Sequence, residues 1–455
     1  MRGLIFPRVL GPKHSHSGFK ATALSQSHFM WDDCYEGKSL LSPESASKLC
    51  LSITHVFQTW LKSLPKEIIP NILIKLPIKS LIKFTSVCKS WRSTIKDPRF
   101  IRTHLTHTLN FNDQNATHLI LLHTVFSEGT STPFGRVHIS GFQEDSYSLH
   151  YDNNDVSHYC KVEFPIGLKE EMVNPCLRVV GTCGGLVLLA DDLGRYAYNF
   201  VIWNPCVRKY VTLSKPSVRF ATHGGYDASL GLGYDAIGND YKVVRVTTLL
   251  DQPDELPTTL AQVYSLATGS WGMLRVLPPC LVPGSWVQAF VNGTLHWLAL
   301  RCVDDHYSHF VVAFDVGSES YREIMLPKCF KAEKSLELRL CASGDRTSIG
   351  LFVRCKIESD CFLDIWVMKE YCIEKSWTKL MILTPQGPKR SLPEALCFMR
   401  NGEVMLVLED DRELVSLDIG SKQFKNLGIS GGQVCSVDLY EENLVLLDRK
   451  DAISY

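Results

Sequence analysis

Between residues 64 and 100 apolar side chains recur every three or four positions, and from residue 116 onward they recur every second position. The two periods predict a short all-helical module ahead of a long all-strand region. Ile68, Ile69, Ile72, Leu73 and Leu76 form a wide stripe on a first helix, with Pro65 suited to its first position and Glu67 favoured by the helix dipole. Pro70 conflicts with that reading. It has no N–H for the carbonyl four residues back, so the helix either starts later than Pro65 or bends. Pro77 stops it, because the residue before a proline is pushed out of the helical region. Leu81, Phe84, Val87, Cys88, Trp91 and Ile95 continue the helical spacing as two short helices with a break near Thr85. Asp97 followed by Pro98 is an N-cap and first-turn pair, opening a last helix with Phe100, Ile101 and Leu105.

The strand region repeats. A hairpin with a polar turn, a further strand, a second turn and an aromatic strand ending in Leu or Ile appear as "GTCGGLVLLA" with "VIWNPCVRKYVTL" and as "LGYDAIGNDYKVVRV" with "QVYSLATGSWGML". The unit returns as "QAFVNGTLHWLAL" with "VAFDVGSESYREIML", as "LCASGDRTSIGLFVR" with "LDIWVMKEYCIEKSWTKL", and as "LCFMRNGEVMLVLED" with "LVSLDIGSKQFKNLGI". The aromatic of the last strand falls at Tyr210, Trp271, Tyr321, Trp377 and Phe424, at intervals of 61, 50, 56 and 47. A period near fifty with four strands per unit is the signature of a β-propeller, here of six to eight blades, and not of a sandwich. The earlier strands "SYSLHYD" and "YCKVEFP" are expected to complete a blade with the C-terminal "ENLVLLD", closing the ring. The predicted organisation is a leader over residues 1–60, a helical module over 61–106 and a propeller over 107–455.

Composition narrows the class. At 455 residues the chain exceeds the size of a single core, and no apolar run approaches the roughly 20 residues that span a bilayer. Sixteen cysteines are scattered without a C-x-x-C pair, many in apolar strands (Cys183, Cys341, Cys397, Cys435), which predicts reduced structural thiols and a cytoplasmic or nuclear home. The first apolar patch is cut by Pro7 and Arg8 before it reaches the length of a secretory core. Residues 1–60 are read as a disordered leader with a short helix near 53–60, and His14 and His16 as solvated residues rather than metal ligands.

Charge changes the picture of the helices. Residues 62–102 hold ten basic side chains against Glu67 and Asp97, a net +8, while the whole chain carries +0. Some forty residues give little core of their own, and burying one large aliphatic side chain is worth only ~1.5–3 kcal/mol. Part of the stripe is therefore meant for a partner, and the lysine fringe either steers an acidic surface or keeps short amphipathic helices soluble.

Leu64-Pro65, Ile72-Leu73, Leu76-Pro77, Ser80-Leu81, Phe84, Val87-Cys88-Lys89-Ser90-Trp91-Arg92 and Asp97-Pro98-Arg99-Phe100 together resemble the F-box, in the form common to plant F-box proteins. "GTCGGLVLL" and "IWNPCVRKY" are similar to the opening of the F-box-associated domain of the same family, a kelch-like propeller. The double glycine of kelch repeats is otherwise poorly kept: Gly224-Gly225 and Gly431-Gly432 occur, but not once per blade. The resemblance implies docking on a Skp-type adaptor and, through it, on a cullin-RING ubiquitin ligase. It assigns Leu64, Pro65, Ile72, Leu73, Leu76, Pro77, Leu81, Val87, Cys88 and Trp91 as adaptor contacts. Internal packing is the competing role of each, more so for Trp91 and less so for Leu64 and Pro65. Ile74 stands where the family often has a small or polar residue.

Catalytic signatures are weak. No H-E-x-x-H helix or G-x-x-x-x-G-K-[ST] loop occurs. "GISGG" at residues 428–432 has the form of a nucleophile elbow around Ser430, but the residues after it read as a strand where a helix is needed. Cys183 has no nameable base, and His306 and His309 beside Asp304 and Asp305 read as a polar loop. No metal or cofactor is expected. The likeliest binding surface is a set of loops at a propeller face: "SVRFATHGGYDAS", "DQPDELPTT", "LVPGSW" and "TPQGPKRSLPE", with Arg219, Phe220, Trp286 and Arg390 as anchors. The leading function is a non-catalytic receptor that brings a target protein to a ubiquitin ligase. The alternatives are a nucleic-acid-binding protein using the basic helices, and a propeller enzyme or sugar binder.

Overall fold

The computed structural model describes residues 68–115, 118–127, 142–174, 176–193, 198–251, 258–274, 280–283, 289–303, 306–327, 336–357, 360–385 and 392–455. The leader, Leu64, Pro65, Trp286, Arg390, Asp304 and Asp305 lie outside these residues.

Among the described residues four helices come first: α1 (Ile68–Leu73), α2 (Ile78–Phe84), α3 (Lys89–Ile95) and α4 (Pro98–Asn115). The proline signals act as their chemistry demands. Pro70 accepts from Ile74 N at 2.9 Å and needs to give no bond of its own. Pro77 takes the N-cap of α2 in an extended conformation, and Thr85 is its C-cap. Asp97 Oδ1 accepts from Arg99 N at 2.7 Å and caps α4.

The strands form six sheets, the six blades of a propeller. Blade 1 has the order β24 (Val434–Tyr440), β1 (Leu119–Ser127), β2 (Phe142–Tyr151), β3 (His158–Val162). Blade 2 runs β4 (Arg178–Cys183), β5 (Leu186–Ala190), β6 (Phe200–Asn204), β7 (Lys209–Thr212), with β25 (Ile453–Ser454) added outside β7. Blade 3 is β8 (Tyr226–Asp235), β9 (Asp240–Leu249), β10 (Thr259–Ser265), β11 (Ser270–Met273). Blade 4 is β12 (Ala289–Val291), β13 (Thr294–Val303), β14 (His306–Asp315), β15 (Ser320–Met325). Blade 5 is β16 (Leu336–Ala342), β17 (Ile349–Ile357), β18 (Asp360–Met368), β19 (Trp377–Leu383), and blade 6 is β20 (Glu394–Phe398), β21 (Val404–Val407), β22 (Glu413–Leu417), β23 (Phe424–Ser430).

The repeat seen in the sequence is a repeat of register. Tyr210, Trp271, Tyr321, Trp377 and Phe424 each open the outermost strand and face Trp203, Tyr264, Phe314, Met368 and Leu417 across the ladder. All five outer turns place a residue with positive φ soon after the end of the preceding strand: Arg208, Gly269, Glu319 and Cys372 four positions after it, and Lys422 five. In three of these an Asx side chain holds the turn, as Asp315 Oδ1 does in accepting from Ser318 N at 2.7 Å. The indoles of Trp271 and Trp377 donate to the carbonyls of Ser214 and Met325, each in or just after the preceding blade, at 2.6 and 3.0 Å. Six apolar clusters fill the six seams between neighbouring blades, so the inner strands, such as β4 and β5, bury both faces against adjacent sheets while outer strands such as β11 and β23 stay largely exposed.

One expectation is corrected. The strand that closes the ring is not "ENLVLLD" but the preceding "VCSVDLY", β24, paired with β1 from Leu119↔Tyr440 to Val125↔Val434. After Tyr440 the chain leaves the ladder because Asn443 binds elsewhere. Its amide donates to Gly184 O, its Oδ1 accepts from Asn204 Nδ2 at 2.8 Å, and Leu444 and Leu446 are buried.

That arrangement explains the glycine pair of "GTCGG". Gly185 has φ +74°, and a Cβ there would land on the Asn443 amide and the Glu441 carbonyl. Gly293 has φ +73° with nothing within 4 Å. Gly293→Ala is expected to cost about 1–2 kcal/mol from backbone strain alone, and Gly185→Ala several kcal/mol through the added collision, read as the difference in chemical-denaturation midpoints.

Candidate functional site

The helical module divides the residues assigned to an adaptor surface. Leu73, Leu81 and Trp91 are buried, Ile72, Leu76 and Val87 are half-buried, and Pro77 and Cys88 are exposed. The split follows from packing. Trp91 meets Phe84 edge-on at 5.1 Å, joining α2 to α3, and the Cys88 thiol accepts from Trp91 N at 3.5 Å as the cap of α3. His104 on α4 reaches back to the Leu76 carbonyl at 3.0 Å and pins the connection between α1 and α2, with burial holding its ring below the usual histidine range despite that bond. Arg92 Nε donates to Thr85 O at 2.9 Å across the break between α2 and α3. Around the half-buried apolar positions stand exposed Lys75, Lys83, Lys89, Arg92, Arg99 and Arg102. The module thus offers an interrupted apolar strip fringed by cations.

The propeller has two unlike ends. α4 leads into β1, which starts where β24 finishes. The ends of β4, β16, β20 and β24 meet at this same end around an axial cavity lined by Thr182, Cys341, Arg346, Phe398 and Asp438. Here the connections are tight hairpins. At the opposite end the second strand of each blade passes to the third, over nine residues or more in blades 1 to 3 but only two in blades 4 and 5, and the outer strand passes to the next blade, over ten residues or more except for the three between β23 and β24. All four loop segments singled out in the sequence join strands at this opposite end. Arg219 and Phe220 begin the short helix α5 (Phe220–His223), where Arg219 N donates to Thr222 Oγ1 at 3.3 Å. The hydroxyl of Tyr198 accepts from Phe220 N, and Asp251 Oδ2 accepts from Gly225 N at 2.5 Å. A loop so tethered presents Phe220 at 49% exposure, with Leu250 at 45% and Met273 at 51% on the strand ends beside it. Arg219 is half-buried. The sequence singled out Arg219 and Phe220 but not Tyr198, whose part as an anchor depends on a bond across 22 residues. The segments carrying Trp286 and Arg390 connect β11 to β12 and β19 to β20, joining strands that end and begin here.

The weak catalytic candidates fall in structural positions. Ser430 closes β23, and β24, a strand, follows the glycine turn. Cys183 is buried at the end of β4, and burial pushes its thiol well above the usual range, which leaves it a poor nucleophile. His309 lies within β14 opposite Leu300. The twelve described cysteines are free thiols.

Comparison with known proteins agrees with this geometry. The model of the F-box domain matches residues 61–103, and that of the F-box associated beta propeller domain matches residues 137–445. An F-box/kelch-repeat protein of Arabidopsis thaliana is 28% identical over 326 residues, covering 70% of this chain and 79% of its own. The F-box protein CPR1 of the same plant is 25% identical over 411 residues, covering 84% and 89%. A third Arabidopsis F-box protein is 26% identical over 413 residues, covering 82% and 88%. A helical module followed by six blades with these matches places the chain in the plant family of F-box proteins that carry an F-box-associated β-propeller.

Proposed function

We propose that the chain is the target-receptor subunit of a cullin-RING ubiquitin ligase of the Skp-cullin-F-box type. The observation that carries this is one chain holding both an F-box match and a propeller whose long interblade connections lie at the end away from the helices. The module docks on a Skp-type adaptor through Leu64, Pro65 and the apolar strip of Ile72, Leu76, Pro77 and Val87, while Leu73, Leu81 and Trp91 hold that strip in place. Its cations speed the approach of an acidic adaptor, and its apolar centre supplies affinity. The loop end of the propeller, with Arg219, Phe220, Trp286 and Arg390, grips the target protein. The chemistry of ubiquitin transfer belongs to other subunits, and the site of action is the cytoplasm or nucleus.

Capture of the Skp-type adaptor and cullin by the wild-type chain is expected, with loss of capture in the triple variant Leu64→Ala, Pro65→Ala, Trp91→Ala. Undiminished capture by that variant overturns the assignment. Docking through apolar anchors survives added salt, whereas a phosphate-driven nucleic-acid contact falls steeply with it, so a salt titration separates the two.

Trp91 needs a control of its own. Its burial predicts that Trp91→Ala destabilises the module by roughly 3–5 kcal/mol, seen as loss of helical circular dichroism at lower temperature. Ile72→Asp with Pro77→Ala changes only partly exposed positions, and it is expected to lose capture while the helical signal is retained.

A further inference from the structure

Lys79 stands apart from the other cations of the helical module. From α2 its Nζ donates to the Tyr159 hydroxyl on β3 at 2.6 Å, and the ammonium lies 4.4 Å from the centre of the same ring. The Tyr159 hydroxyl in turn donates to Glu442 Oε1 at 3.4 Å, in the segment that follows β24. Tyr151 on β2 meets the Tyr159 ring edge-on at 5.2 Å and fixes its direction. Cation, phenol and carboxylate thus stand in line, contributed by parts of the chain 80 and 283 residues apart. Glu442 is half-buried, and burial raises its carboxyl while Lys79 and Tyr159 draw it back down. A second tie lies near the covalent connection, where Arg400 on the tight turn of blade 6 reaches His118 Nδ1 at 3.1 Å.

We propose that Lys79 is a positioning residue that fixes the angle between the F-box helices and the propeller, and that it does not touch the adaptor. The proposal deepens the receptor reading, on which it rests only for what the module is positioned to do. A lone surface lysine gains little from an ion pair because it must freeze a long side chain in water. Here the Tyr159 hydroxyl holds the ammonium by a charge-assisted hydrogen bond, and the ring that carries it is itself locked by Tyr151 and Glu442. Domains joined by a short connection and a small contact otherwise move relative to one another. A receptor whose target face swings loses the fixed geometry that makes transfer to a bound target efficient. The remaining cations of the strip, Lys75, Lys83, Lys89 and Arg92 among them, are then the ones that face a partner.

The test uses the full chain with dyes placed through non-natural residues at Ser93 on α3 and Gln423 in blade 6, both exposed. Single-molecule energy transfer is expected to give one narrow distance in the wild type, and a broadened or split distribution in Lys79→Met and in Tyr159→Phe. Lys79→Arg should restore the narrow distance, and Lys83→Met should leave it unchanged. Adaptor affinity should change less than about twofold in Lys79→Met, well inside the tenfold that one good contact is worth. Unchanged distributions in both Lys79→Met and Tyr159→Phe overturn the proposal. So does a loss of about tenfold or more in adaptor affinity at an unchanged distance, which would make Lys79 an adaptor contact. If the wild type binds no adaptor, the receptor reading fails while the distance distributions still decide the joint.

Discussion

The ladder between β24 and β1 is the constraint on which the propeller depends. These strands are more than 300 residues apart in the chain, yet they pair through a continuous register inside one blade. Each seam between blades is a separate apolar cluster with no large central core behind it, so a blade is stable only with neighbours on both sides. Closing blade 1 with a strand from the far end supplies the last pair of neighbours and leaves no terminal seam open. The C-terminal segment adds a second clasp. Tyr455 accepts from Trp203 Nε1 at 2.8 Å and donates to Glu163 O at 3.0 Å, while β25 covers the outer edge of β7.

Closure also sorts the ends. Because every blade repeats the same antiparallel order, the hairpins within a blade alternate between the two ends around the whole ring, and the long interblade connections fall at one of them, the open end. The tight end has little freedom. Its turns are held by Asx side chains and left-handed residues, and it surrounds a cavity where Asp438 binds Thr182 N at 2.8 Å and Arg346 at 3.3 Å. The open end is free to vary in length and chemistry without disturbing the ladders.

Much of this was legible in the residues. Pro77, Thr85 and Asp97-Pro98 set the helix boundaries because their backbone chemistry is local. Tyr210, Trp271, Tyr321, Trp377 and Phe424 marked the outer strands because each fills the same position across from the preceding strand. Where the reading went astray, the deciding contact was distant. "ENLVLLD" has the apolar run of a strand, and Asn443 takes it out of the ladder through Asn204, 239 residues away. Lys79, Tyr159 and Glu442 carry no motif at all, so their alignment was invisible before the fold brought them together. For the apolar stripe of the helical module the sequence supplied the periodicity but not the division into buried and half-buried positions, since periodicity gives the apolar face of a helix and cannot say which half of that face another helix covers.

The division matters for how the F-box surface works. With Leu73, Leu81 and Trp91 buried, the accessible apolar area is set by half-buried side chains whose exposure depends on the packing of α1, α2 and α3 against one another. Binding at that surface is therefore coupled to the order of the module: a partner that covers Ile72, Leu76 and Val87 also stabilises the arrangement that displays them, by mass action on the folded form. The basic fringe works in the opposite sense before binding, since like charges crowded on short helices repel one another and oppose the compact state. An acidic partner relieves that repulsion as it covers the strip. Under the proposed docking, charge and apolar contact act on a single equilibrium, with the module most ordered when it is occupied.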